Sequence, residues 1–124
     1  MKNELVSYQF HERPQEVLSQ LGYGLCKIHS NRFWSNPVDA MREWHIALHN
    51  YEEVCGERDG RGINFAALAF QMARISILRC GDTPRDIAYF SATVLLLIDE
   101  FEAIGETRGA CAVLLEALMV FSDL

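Results

Sequence analysis

The sequence is short of lysine and lacks the motifs of common cofactor sites. Its 124 residues hold two lysines beside nine arginines, and the net charge of −6 argues against a nucleic-acid partner, because binding to a phosphate backbone needs surplus cationic side chains. There is no glycine-rich phosphate loop followed by lysine and no Gly-x-Ser-x-Gly elbow. The sequence therefore predicts no cofactor and no recognisable catalytic constellation.

Cysteine patterns and long apolar runs are also missing. No Cys-x-x-Cys pair occurs, and each cysteine falls within or at the end of a predicted helix: Cys26, Cys55, Cys80 and Cys111. That spacing favours reduced thiols over a disulfide framework or a zinc site. No run approaches the roughly 18 apolar residues of a membrane span, and the first residues lack the apolar segment of a signal peptide. We expect a soluble, cytoplasmic protein with no membrane partner.

The chain does contain a pattern that occurs twice. Each copy begins with a capping residue, a proline and, two residues later, an aspartate: Asn36-Pro37-Val38-Asp39 and Thr83-Pro84-Arg85-Asp86. Each continues through an apolar stretch to a Gly-Glu pair and an Arg-Gly pair: Gly56-Glu57 with Arg61-Gly62, and Gly105-Glu106 with Arg108-Gly109. The prolines and the Arg-Gly pairs are 47 positions apart, and the Gly-Glu pairs are 49 apart. Because a cap followed by proline and aspartate is typical of a helix start, the pattern predicts two stacked helical hairpins, 36–82 and 83–124.

The predicted fold is all-α, with about five helices. A first helix is expected over 14–30, amphipathic helices begin at Pro37 and Pro84, and nearly all-apolar helices cover about 61–79 and 107–121. Residues 1–13, in which apolar and polar side chains alternate, predict an extended N-terminal arm. Residues 14–124 then form a single domain.

One junction of the pattern resembles a known family of helical repeats. The segment from Phe101 to Ala110 is similar to the turn within tetratricopeptide-type repeats, where a helix ends near Gly-Asp and the next begins near Arg-Gly-Glu-Ala. The segment from Val54 to Ala66 is similar too. The resemblance covers 36–121 loosely, and it implies a helical scaffold that binds another protein or a peptide.

Carboxylates crowd the C-terminal ends of both amphipathic helices, where the helix dipole disfavours them by ~0.3–1 kcal/mol each. The candidate partner-binding residues are Glu52, Glu53, Glu57, Asp99, Glu100, Glu102 and Glu106. If the two hairpins stack in parallel register, these clusters lie side by side and form a docking surface for a basic partner. The alternative is a solvated face with local ion pairs to nearby arginines.

The last predicted helix has almost no polar face, so another surface is expected to cover it. We expect a homodimer with its interface on this helix, at Leu114, Leu115, Leu118 and Phe121. The N-terminal arm is the alternative cover.

A second resemblance concerns Arg42 and His49. An arginine, six residues, a histidine and then an aromatic residue (here Tyr51) resembles the signature of HEPN proteins, small helical bundles. The resemblance implies that Arg42 and His49 serve RNA cleavage or nucleotide binding, and the alternative is two exposed polar residues. His45, His49 and Glu52 share one helical flank, but no fourth ligand is suggested, so no metal site is predicted.

The leading hypothesis is therefore a small non-enzymatic interaction module, such as an adaptor, inhibitor or immunity-type protein, that binds another protein through an acidic helical surface. A HEPN-like ribonuclease, or an inactive relative, is the first alternative. A structural subunit of a larger assembly is the second.

Overall fold

The computed structural model describes residues 13–56, 60–81 and 83–124, and this part of the chain is helical without any strand. Its six helices are α1 Pro14–Gln20, α2 Lys27–Ser35, α3 Pro37–Val54, α4 Arg61–Cys80, α5 Pro84–Ala103 and α6 Thr107–Ser122. The predicted all-α class is confirmed. Residues 1–12 of the predicted arm lie outside the described residues.

The helix predicted over 14–30 is divided into two helices in the structure. Gly22 adopts a left-handed conformation with φ of 92°, and the Tyr23 N–H donates to the Leu18 carbonyl at 2.8 Å. These are the features of a glycine cap that ends a helix. The next helix, α2, begins after Cys26, whose sulfur accepts from the His29 N–H at 3.5 Å.

The two repeated helix starts are found where the sequence predicts them, but their caps differ. At α5 the Asp86 N–H donates to Thr83 Oγ1 at 3.2 Å, and the Thr83 hydroxyl donates to Asp86 Oδ2 at 2.7 Å. At α3 the Asn36 side chain makes no capping bond. Pro37 still occupies the first turn of α3, because its fixed φ suits a helix start and its missing N–H costs nothing there.

The core is built around α4, which contacts both α3 and α5, while α6 contacts α5 and α1. Phe70 of α4 stacks on Phe90 of α5 with ring centroids 5.8 Å apart. The largest fully buried side chains come from α1, α4, α5 and α6: Leu18, Phe70, Met72, Ile75, Ile77, Phe90, Thr93, Leu97, Phe101, Val113 and Val120. α4 is buried on most of its faces, as its nearly continuous apolar sequence predicts.

Contacts at both ends of α5 and α6 define their relative direction. Phe90 near the start of α5 packs edge-on against Phe121 near the end of α6, at 5.5 Å between centroids. Phe101, at the end of α5, lies against Gly109 at the start of α6, where an added Cβ would be 2.8 Å from the ring. α5 and α6 are therefore antiparallel, and glycine at position 109 permits their close approach.

Candidate functional site

The side chains that join α3 to α5 determine how the candidate site is assembled. Trp44 Nε1 donates to Thr93 Oγ1 at 2.9 Å, and the Trp44 ring stacks on Tyr89 with centroids 4.4 Å apart. Further along the same two helices, the Tyr51 hydroxyl donates to Glu100 Oε1 at 2.5 Å. Both bonds join residues 49 positions apart. The two helices therefore run in the same direction at these contacts, and their C-terminal ends are neighbours.

Tyr51 is electrostatically coupled to this end of the helices. Its burial, followed by its hydrogen bond to Glu100 and the negative charge of that carboxylate, raises the pKa of the phenol well above its usual range. Tyr51 thus stays protonated and remains a donor. A protonated phenol is the form that can hold Glu100 between the two helices.

The structure gives the predicted acidic residues different environments. Glu52, Glu53, Asp99 and Glu102 are exposed, and we call these four the acidic edge. Glu53 Oε1 lies 3.1 Å from His49 Nε2 on the same helix. The others differ: Glu100 is half-buried against Tyr51, Glu106 is half-buried before α6, and Glu57 lies outside the described residues.

The predicted interface residues on α6 are mostly open to solvent. Leu114 and Leu118 are 51% and 52% exposed, and Phe121 is 40% exposed even though it contacts Phe90. Leu115 is half-buried. Three of the four residues therefore leave an apolar surface along α6 uncovered in the described chain, where the sequence predicts one.

Arg42 and His49 both lie on an exposed face of α3, and each is paired with a carboxylate of its own helix. Arg42 Nη1 is 3.4 Å from Asp39 Oδ1, and His49 pairs with Glu53. His45 is exposed as well, and its ring packs edge-on against Trp44 at 4.8 Å between ring centroids. Across the described residues, no group of three or more His, Cys, Asp or Glu side chains is arranged to hold a metal ion.

A polar cluster that was not singled out from the sequence joins four helices. Arg74 of α4 forms an ion pair with Glu116 of α6, whose side chain is only 5% exposed. The Arg74 guanidinium also lies 5.9 Å from the ring centroid of Trp34 in α2. Beside this pair, Gln71 Nε2 donates to Gln15 Oε1 of α1 at 2.9 Å. The available signal was the placement of polar residues inside two otherwise apolar helices.

The comparisons with protein-family models, with curated proteins and with solved structures find no match to this chain. Within the described ranges, none of the helices combines the length and apolar character that crossing a membrane requires.

Proposed function

We propose that this protein is a small, cytoplasmic, non-enzymatic interaction module that binds a basic partner protein through the acidic edge. The observation that carries the proposal is the bond from Tyr51 to Glu100, which joins the C-terminal parts of α3 and α5. Because of this contact, exposed carboxylates from two distant parts of the chain belong to one end of the molecule.

Two sources of negative potential add up at this end of the molecule: the helix dipoles and the exposed carboxylates. The C-terminal end of each helix carries a partial negative charge of roughly half an electron, and α3 and α5 present these ends together. The exposed carboxylates add full charges at the same place. A surface of this kind attracts basic partners, increases their association rate and selects against acidic ones. The resulting binding is expected to weaken as salt is added.

We further propose that the scaffold consists of two tetratricopeptide-like helical hairpins, 36–82 and 83–124, and that it acts as a homodimer through α6. In support, α4 contacts α3 and α6 contacts α5. The second helix of each pair also begins with an Arg-Gly pair whose glycine faces a ring of the preceding helix: Tyr51 at Gly62 and Phe101 at Gly109.

A charge-reversal experiment tests the acidic edge. A partner captured by the tagged protein from its native host is identified, purified and titrated by calorimetry against wild type and against the variant Glu52→Lys, Glu53→Lys, Asp99→Lys, Glu102→Lys. We expect the variant to bind at least tenfold more weakly, and the wild-type affinity to decrease between about 50 and 200 mM salt.

The control for this experiment is a charge reversal elsewhere on the protein. Glu16 is an exposed carboxylate on α1, and Glu16→Lys is expected to leave the affinity within about twofold of wild type. Circular dichroism verifies that both variants remain folded. Equal affinity of wild type and the fourfold variant for the purified partner would exclude the acidic edge as the binding surface.

A further inference from the structure

One side of α6 is covered along its first half and open along its second. Arg108, Ala112, Leu115 and Met119 follow one another at intervals of four, three and four residues, which places them on the same side of the helix. We call this side the Met119 flank. Arg108 Nη2 donates to Gln20 Oε1 of α1 at 2.7 Å, Ala112 is buried and Leu115 is half-buried, but Met119 is 42% exposed. The apolar side chains of the flank thus become more exposed toward the end of α6.

The cover of the first half is α1, which is too short to continue over the second. α1 has seven residues and α6 has sixteen, so their lengths are about 10 and 24 Å. The last residue of α1 bonds to the first turn of α6. At its other end, Gln15 accepts from Gln71, and Arg74, one turn further along α4, pairs with Glu116 in the middle of α6. α1 therefore runs antiparallel to α6 and begins near its midpoint.

The chain that enters α1 comes from the direction of the open half of α6. Arg13 is extended, with φ of −69° and ψ of 132°, as the residue before a proline must be. Met119 is three residues beyond Glu116 along α6, a distance of about 4.5 Å. Two or three residues of extended chain span about 7–10 Å. The residues just before Arg13 are therefore long enough to lie beside Met119.

The sequence of this preceding segment suits an apolar surface. Val6, Tyr8 and Phe10 alternate with polar residues, so in an extended chain they share one edge. Phe10 is the last of the three and stands three residues before Arg13. A methionine thioether makes favourable contacts with an aromatic ring, and its unbranched side chain adapts to the shape of a neighbour.

We propose that residues 1–12 of the same chain continue the cover that α1 begins, with Phe10 packed on Met119 along the Met119 flank. Because only a few residues separate Phe10 from α1, this segment competes for the flank at an effective concentration of about millimolar or more. The inference is independent of the acidic edge. It is also independent of the proposed homodimer, since Leu114 lies about 140° around α6 from Met119.

Disulfide trapping in the full chain tests the position of the segment. In a background with the four native cysteines replaced by serine, Phe10→Cys with Met119→Cys is oxidised by glutathione disulfide at micromolar protein concentration. Ile46 of α3 is 47% exposed, close to the 42% of Met119, so Phe10→Cys with Ile46→Cys is the matched control. We expect an intramolecular disulfide that forms at least tenfold faster in the first pair than in the control.

A double-mutant cycle tests the contact while the native cysteines stay in place. Urea unfolding is measured for Phe10→Ala, Met119→Ala and the double variant. Each single replacement is expected to raise the unfolding equilibrium constant about three- to tenfold, and the double replacement by clearly less than the product of the two. Leu114, 51% exposed on another side of α6, provides the control: the effects of Phe10→Ala and Leu114→Ala should multiply.

Three results would overturn the proposal: effects of Phe10→Ala and Met119→Ala that simply multiply, coupling of Phe10 to Leu114 as strong as to Met119, or a disulfide that forms no faster than in the control. A disulfide found only between two chains on a non-reducing gel would also overturn it, because the cover would then come from a second copy. None of these results bears on the acidic edge, whose four carboxylates are unchanged in every variant.

Discussion

Trp44 donates its indole N–H to the hydroxyl of Thr93, 49 positions later, at 2.9 Å between Nε1 and Oγ1. Thr93 donates in turn to the Tyr89 carbonyl at 2.7 Å. Both side chains of the first bond are buried, with Trp44 5% and Thr93 1% exposed. A buried bond of this kind holds α3 and α5 in one register, because a shift of either helix would leave a polar group without a partner.

Thr93→Val is expected to lower the free energy of unfolding by about 1–3 kcal/mol, because it leaves the buried indole N–H of Trp44 without an acceptor at nearly constant side-chain volume. Urea unfolding followed by circular dichroism measures the change. Thr107, exposed at the start of α6, provides the control, and Thr107→Val should change stability by no more than about 0.5 kcal/mol. Equal losses of unfolding free energy in the two variants would contradict a stabilising role for the hydrogen bond between Trp44 and Thr93.

Replacing the glycine of each Arg-Gly pair with alanine is expected to have opposite effects on the free energy of unfolding. Gly109→Ala places a Cβ 2.8 Å from the fully buried ring of Phe101, so we expect a loss of about 1–3 kcal/mol from overpacking. The Cβ added by Gly62→Ala meets nothing closer than 3.7 Å. The higher helix propensity of alanine should therefore raise the free energy of unfolding of this variant by up to about 1 kcal/mol. Thermal unfolding of wild type and both variants measures the two effects. A Gly109→Ala protein as stable as wild type would contradict the close approach of α5 and α6.

The ion pair between Arg74 and Glu116 is expected to cost more when one partner is removed than when both are replaced. The Arg74 side chain is 21% exposed, so solvent reduces the cost of an unpaired charge, and Glu116→Gln should lose about 2–3 kcal/mol. Arg74→Met with Glu116→Gln should recover part of that loss, because no charge is then left buried. Urea unfolding of the two single variants and the double variant completes the cycle. If the losses of unfolding free energy in the single variants add up to the loss in the double variant, Arg74 and Glu116 are not directly coupled.

The raised pKa of Tyr51 makes the stability of the folded protein depend on pH in the alkaline range. This pKa is raised in the folded protein by burial and by Glu100, whereas an unfolded tyrosine has a pKa of about 10. The folded state therefore holds this proton more tightly. Its contribution to stability is complete below about pH 10 and is lost as the pH rises further. Between about pH 9 and 11, wild type should lose more stability than Tyr51→Phe, as measured by urea unfolding.

Glu100→Gln provides the control for this pH effect. It removes the negative charge beside Tyr51 and leaves the burial of the phenol in place, so we expect a pH dependence between those of wild type and Tyr51→Phe. Identical pH profiles for all three proteins would contradict the coupling between Tyr51 and Glu100.

Arg42 and His49 allow a direct test of the HEPN resemblance. Because each is paired with a carboxylate of its own exposed helix face, we expect RNA to remain intact after incubation with the purified wild-type protein. Gel analysis of a structured and an unstructured RNA measures the result. Cleavage that disappears in both Arg42→Ala and His49→Ala would establish the ribonuclease function instead.

Local signals in the sequence were sufficient for most helix boundaries. Pro37 and Pro84 begin α3 and α5 as predicted, since fixed φ and a missing N–H act within a single turn. The same range of interaction explains the bond between Thr83 and Asp86. Periodicity alone also indicated that α4 would be buried. These features depend on neighbours within about four residues, and such neighbours are visible in a sequence.

The break between α1 and α2 shows where local reasoning failed. Gly22 and Gly24 weaken a helix but do not by themselves end it, and apolar spacing continued across them. In the structure Gly22 ends α1 and Tyr23 packs edge-on against Phe101 of α5, at 5.2 Å between ring centroids. A partner 78 positions away thus stabilises the chain after the break, and such a partner cannot be read from local periodicity.

Composition and local patterning were enough to predict the helical class, the repeated helix starts, the carboxylates at two helix ends and the apolar character of α6. The identity of the polar groups that meet follows from how the helices pack. This packing pairs Tyr51 with Glu100 and Arg74 with Glu116, and it leaves Leu114 and Leu118 of α6 exposed. The difference comes from the range of the interactions: propensity and capping act within a helical turn, whereas burial and hydrogen-bond pairing depend on which distant helices pack together.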